Sequence, residues 1–166
     1  MLATDLGLKP TWAWKRWIKV LRLQARSRLS APIERAPRLA CRLLLDDASG
    51  CGLSTRVAAD AEEAYFVVHH SCASITISIA HEIGHILGAR HYRAIDANNV
   101  PFAYGHGYVN GKWRDIMSYQ QSCDGCVRIP YWSNPRVTYK GEPTGTMSED
   151  TARVILEQAE RVSKFR

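Results

Sequence analysis

The residues with the clearest chemical potential lie in one stretch, His81-Glu82-Ile83-Gly84-His85-Ile86-Leu87-Gly88-Ala89-Arg90-His91. On a helix, side chains four positions apart stand one turn above each other, so His81 and His85 face a common point with Glu82 beside them. Continuing that helix would rotate His91 away. Gly88, free to adopt positive φ, lets the backbone turn and bring His91 back as a third ligand. Three neutral imidazole nitrogens leave a zinc ion open to water, which is the arrangement of a catalytic site rather than a structural one. Water at such a site is acidified to a pKa of about 7, and Glu82 can take its proton during attack on a peptide carbonyl and return it to the leaving amine. One Zn2+ ion, a polypeptide substrate and peptide-bond hydrolysis are therefore expected.

The elements that must hold these residues are legible from periodicity. Ser74 to Leu87 has the length and apolar spacing of a buried helix, with Ile79, Ile83, Ile86 and Leu87 on its core face and Gly88 as its cap. Leu43 to Leu45 and Tyr65 to Val68 read as buried strands, the first leaving through the turn formers Asp46, Asp47, Ser49 and Gly50. Asn110-Gly111 between strand-like flanks, from Tyr108 to Trp113, predicts a hairpin. A closing helix is expected from Ser148 as N-cap, with Ile155, Leu156, Ala159 and Val162 as its apolar stripe.

The chain has 166 residues, 46% apolar and 23% charged, which excludes disordered and fibrous classes and fits one folded domain. Its formal charge of +6 is not spread evenly, because nine of the 22 Lys and Arg residues lie in the first 38 positions. There Trp14, Trp17, Ile18, Leu21 and Ala25 mark a basic amphipathic helix over about 11 to 29. Packing of that tryptophan stripe on the domain is the main expectation, and membrane-surface or calmodulin-type binding the alternative. The division is thus an atypical basic segment over 1–38 and a catalytic domain over 39–166. No nucleic-acid motif accompanies the arginines, so no nucleic-acid partner is expected, and no stretch is apolar enough for a membrane span. A monomer is expected. The N-terminus lacks the uninterrupted apolar run of a signal peptide. Five cysteines, Cys41, Cys51, Cys72, Cys123 and Cys126, are an odd number, and two disulfides with one spare thiol account for them most simply.

Downstream of the histidines comes Asp115-Ile116-Met117-Ser118-Tyr119. With HExxHxxGxxH, this segment resembles the metzincin zinc peptidases, in which a methionine turn lies beneath the metal. The resemblance makes Met117 that floor, and places Tyr119 where astacin-like and serralysin-like members carry a tyrosine that approaches the zinc or the tetrahedral intermediate. Cys51-Gly52-Leu53, Ser71-Cys72-Ala73, Pro101-Phe102-Ala103-Tyr104-Gly105-His106-Gly107-Tyr108, Tyr131-Trp132-Ser133-Asn134-Pro135 and Pro143-Thr144-Gly145-Thr146 narrow the likeness. In order, they resemble the bacterial peptidyl-Asp metalloendopeptidases of the reprolysin-like branch, over roughly Leu39 to Arg166.

That resemblance implies an α+β zincin with a twisted mixed sheet, a long active-site helix and a C-terminal helix. It implies a secreted zinc endopeptidase cutting on the amino side of Asp, with Cys51–Cys72 and Cys123–Cys126 as disulfides and Cys41 free. Asp recognition calls for a cation in the pocket that follows the methionine turn, for which Arg128 and Arg136 are the candidates through bidentate pairing with carboxylate. Two departures are visible. Tyr92 follows the third histidine where the reprolysin-like branch usually carries an acid, and the first 38 residues cannot supply all of the two strands and long helix that normally precede the strand at 42–45. The alternative expectation is therefore a truncated, non-catalytic remnant that still binds zinc.

Overall fold

The computed structural model describes residues 40–45, 50–75 and 77–165. The helix expected over 11–29, the basic segment 1–38, the turn residues 46–49 and the Cys41 thiol lie outside what it describes. Three strands form a mixed sheet in the order β1 (Ala40–Leu45), β3 (Tyr65–His69), β2 (Gly52–Ser54), with β1 parallel and β2 antiparallel to the central strand. Phe66, Val67 and Val68 of β3 are buried in succession, as expected for a strand covered on both faces. Phe66 and Val68 pack with Ile86 and Leu87 of the active-site helix and with Val162 and Phe165 from the chain's C-terminal end. Each such side chain contributes about 1.5–3 kcal/mol on burial, so this cluster is what fixes the helix against the sheet.

The expected single helix from Ser74 to Leu87 is two helices, α1 (His70–Ile75) and α2 (Ser78–Leu87). The sequence Ile-Thr-Ile at 75–77 places three β-branched residues in a row, which costs helical side-chain entropy and accounts for a break there. A disulfide from Cys72 in α1 to Cys51 ties this helix to the entry of β2. Helix α2 ends as expected at Gly88, whose φ is 117°. Its N–H reaches Gly84 O at 3.0 Å and His85 O at 2.9 Å, and the Ala89 N–H reaches Gly84 O at 2.8 Å.

Short pairs of strands complete the molecule: β4 (Trp113–Arg114) runs parallel to β5 (Val127–Arg128), and β6 (Thr138–Tyr139) antiparallel to β7 (Glu142–Pro143). The Asn-Gly turn is present, with Gly111 at φ 84° and the Asn110 carboxamide accepting from the N–H groups of Lys112 and Trp113. It closes one antiparallel bridge, Val109 to Arg114, rather than an extended hairpin, because Trp113 and Arg114 take β5 as their ladder partner. The closing helix α3 (Thr151–Ser163) begins two residues later than expected. Asp150, not Ser148, caps it by accepting from the Arg153 N–H at 3.1 Å. Its buried face is Thr151, Val154 and Val162, with Ile155 partly buried, whereas Leu156 is 75% exposed and Ala159 is also exposed. Among the described residues no helix is long and apolar enough to cross a membrane. The whole is an α+β arrangement.

Candidate metal centre

Helix α2 presents His81 and His85 on one buried face, and the Gly88 turn returns His91 to them. The three Nε2 atoms stand 3.2 Å (His81 to His91), 3.2 Å (His85 to His81) and 3.0 Å (His85 to His91) apart. The other ring nitrogens of the first two are committed: His81 Nδ1–H donates to Ile116 O at 2.8 Å and His85 Nδ1–H to Ala89 O at 2.9 Å. Those bonds fix the tautomer of His81 and His85, leaving bare lone pairs on their Nε2 atoms, which point at each other and at His91 Nε2. Burial also holds all three imidazoles below their ordinary pKa, His85 at about 4, so they are neutral near pH 7. Converging lone pairs repel unless a cation lies among them. A tetrahedral zinc with bonds of about 2.0–2.1 Å keeps its ligands about 3.3–3.4 Å apart, close to the spacing seen. The residues present fit a metal ion.

The return of His91 depends on the segment after Gly88. A Cβ at Gly88 would meet the Phe102 ring at 2.7 Å, so the turn is both left-handed and tightly covered. Arg90 bridges the strand-like segment beyond it through Arg90 N to Gly105 O at 2.7 Å and Gly107 N to Arg90 O at 3.0 Å. Its guanidinium grips Asp96 at 2.9 and 3.1 Å. His106, fully buried, donates from Nδ1 to the His91 carbonyl at 3.0 Å.

Met117 is fully buried and packs with Ala89 and Ile116. Its Sδ lies 2.8 Å from where a Cβ on Gly84 would stand, so the absent side chain at Gly84 is what lets methionine and helix meet. Asp115 anchors this turn, accepting from the Ser118 hydroxyl at 2.6 Å and the Ser133 N–H at 3.2 Å. Burial pushes its carboxyl up to about 6. Tyr119 places its hydroxyl 2.6 Å from His91 Nε2, and burial followed by the nearby Glu82 carboxylate raises its pKa.

Glu82 is 4% exposed, and burial lifts its carboxyl to about 8 against the opposing pull of the Ser54 hydroxyl and the Arg128 charge. Ser54 on β2 donates to Glu82 Oε2 at 2.6 Å, with Glu82 O at 2.9 Å as the alternative acceptor. Two positions earlier, Gly52 leaves the space that the carboxylate fills. Ser54 carries no motif in the sequence and is visible only once β2 lies against α2. Of the two candidate pocket cations, Arg128 belongs to this neighbourhood: it donates to Ile116 O and lies 3.2 Å from His81 Nδ1. Arg136 instead pairs with Asp150 through two bonds of 2.7 and 2.9 Å. The Cys123–Cys126 disulfide closes the loop between Tyr119 and Arg128.

A sequence model of metallo-peptidase family M12 matches residues 21–133. A peptidyl-Asp metalloendopeptidase of Xanthomonas campestris pv. campestris is 43% identical over 127 residues, 75% of this chain and 30% of that protein. One from Stenotrophomonas maltophilia is 42% identical over 130 residues, 75% of this chain and 31% of that protein. Another, from Pseudomonas fragi, is 41% identical over 100 residues, 57% of this chain and 62% of that protein. The chain thus spans less than a third of the length of the first two relatives. A chain in a solved chaperone–substrate complex shares the fold over 72% of this chain and 18% of its own, with TM-score 0.54 and 21% identity. With the family model covering more than half of its length, and three histidines gathered on one point, the chain belongs to metallo-peptidase family M12.

Proposed function

We propose that this chain carries the catalytic centre of a secreted, zinc-dependent endopeptidase of metzincin type that cuts on the amino side of Asp. The observation that carries the reading is the convergence of three buried imidazole Nε2 atoms, 3.0–3.2 Å apart, beside a buried carboxyl. That the relatives are peptidyl-Asp metalloendopeptidases supports the class and the residue preference, and the two disulfides fit an oxidising compartment.

His81, His85 and His91 would hold the zinc, and when bound it supplies a Lewis acid that polarises a scissile carbonyl and acidifies water. Glu82 is the proton carrier. The positive charge of a bound zinc would favour the ionised form of Glu82 over the neutral one that burial alone favours. As a carboxylate it takes a proton from the attacking water and delivers it to the leaving amine, held in orientation by the Ser54 hydroxyl. Tyr119 donates its hydroxyl proton in a hydrogen bond to the carbonyl oxygen as negative charge develops there. Met117, beneath the histidines as the methionine turn, gives a rigid apolar floor, and the Ile116 carbonyl one residue earlier orients His81.

Incubating zinc-loaded protein with an unstructured Asp-containing polypeptide tests this. Cleavage at Asp is expected, and Glu82→Gln should reduce it by about 10²–10⁴-fold, the usual contribution of a general base, with zinc content unchanged. Zinc bound at one equivalent with no cleavage by the unaltered chain would replace the enzyme by a zinc-binding remnant.

A further inference from the structure

Arg114 and Arg128 occupy paired positions of the β4–β5 ribbon, directly opposite each other in a parallel ladder. Residues in register across such a ladder extend to the same side, so two guanidinium groups stand together. Both are half-buried, and among the described residues neither forms an ion pair. Three of their buried N–H groups, Nε and Nη1 of Arg114 and Nε of Arg128, have no acceptor. Leaving a buried donor unpaired costs about 1–3 kcal/mol, and more when it carries charge. Burial lowers the pKa of both, and the repulsion of Arg114 lowers that of Arg128 further, yet neither residue gives up its proton in a protein.

Asp115 acts on both arginines and Glu82 on Arg128 through space, but the unused donors of the pair remain open to an anion between or beside them. The place is specific, because Arg128 touches the Ile116 carbonyl that orients His81 and acts electrostatically on Glu82 and Tyr119. An anion there lies beside the three histidines. We propose that Arg114 and Arg128 together form the subsite that takes the carboxylate of a substrate Asp, with Arg114 as the second cation. This rests on the endopeptidase reading and adds the residues that read the substrate. Arg136 is not part of it, since its fork is already filled by Asp150. The loop closed by the Cys123–Cys126 disulfide leads directly into β5, which carries Arg128.

The test uses two matched unstructured peptides, one with Asp and one with Asn at the same position, and reads both cleavage and binding. Cleavage is compared among the unaltered protein, Arg114→Gln, Arg128→Gln and Arg136→Gln, with zinc content measured for each. Binding of the two peptides is compared in Glu82→Gln and in Glu82→Gln/Arg114→Gln. The ratio of kcat/KM for Asp over Asn should fall at least tenfold in Arg114→Gln and Arg128→Gln and hold in Arg136→Gln. The tighter binding of the Asp peptide should vanish with Arg114. Among the described residues Arg114 donates to no metal-orienting carbonyl, so its variant separates substrate reading from damage to the centre. A preserved Asp-to-Asn ratio in Arg114→Gln, or equal binding of both peptides by Glu82→Gln, would overturn the subsite. If the unaltered chain cleaves nothing, the endopeptidase reading fails, while the binding comparison still decides the subsite.

Discussion

Glu82 is held from the side opposite the histidines by a strand with almost no side chain to offer. Gly52 makes room for the carboxylate and Ser54 supplies one hydroxyl to it at 2.6 Å. A hydrogen bond is worth about 0.5–1.5 kcal/mol net, and about 1.5–3 once Glu82 is ionised, and it holds the orientation of a carboxyl group whose last torsion is otherwise broad. Ser54→Ala should therefore lower kcat by about tenfold or more, leave KM nearly unchanged, and leave one zinc per chain, whereas Ser54→Thr, which keeps a hydroxyl, should retain more of the rate. Steady-state kinetics with metal analysis checks this. An unchanged kcat in Ser54→Ala would mean that packing alone orients Glu82. Nothing in the sequence singles out Ser54, because its role comes from a strand crossing a helix 28 positions away.

At the scale of elements, the metal motif was readable because both of its constraints are local. The i, i+4 pair needs only helical geometry, and the third histidine needs only a residue able to turn left-handed at the helix end. Gly88 satisfies that demand with φ 117°. Gly88→Ala should cost about 1–2 kcal/mol for the left-handed backbone alone, and more for the contact with Phe102. Because His91 is carried on the far side of the turn, the same change should weaken zinc binding by tenfold or more. Competition against a chelator, beside thermal unfolding, separates the two losses, and a lowered midpoint with unaltered zinc affinity would show that Arg90 and His106 suffice to place His91. What was not readable is nonlocal or competitive. The helix break at 75–77 turned on β-branched residues that fit the same apolar spacing, the cap at Asp150 turned on a choice among Ser148, Glu149 and Asp150, and the pairing of Arg114 with Arg128 depended on a ladder register between strands of two residues each.

For the molecule as a whole, the second half of the chain has little regular structure, and buried polar anchors replace long ladders in holding it together. Asp115 is the chief of these: fully buried, it joins the turn at 115–118 to Ser133, whose hydroxyl in turn receives the first N–H of α3 at 2.8 Å. Its carboxyl is raised from an ordinary 3.8 to about 6 because burial outweighs the hydrogen bonds it accepts. Between about pH 4 and pH 6 the folded chain therefore holds a proton that the unfolded chain has lost. Stability from this group is full well below the unfolded value of 3.8 and is lost progressively as pH rises through 6, by about 3 kcal/mol in all for a shift of some two units. Asparagine keeps the shape without titrating, though its amide N–H₂ faces the Ser133 N–H and costs stability at every pH. The expected result is that the stability of the unaltered protein minus that of Asp115→Asn, measured by urea unfolding in chelator, falls by about 2 kcal/mol from pH 4 to pH 6.5. A difference that stays level across that range would mean that Asp115 is ionised throughout, its hydrogen bonds from Ser118 and Ser133 being enough to hold a buried charge at the centre of this half of the fold.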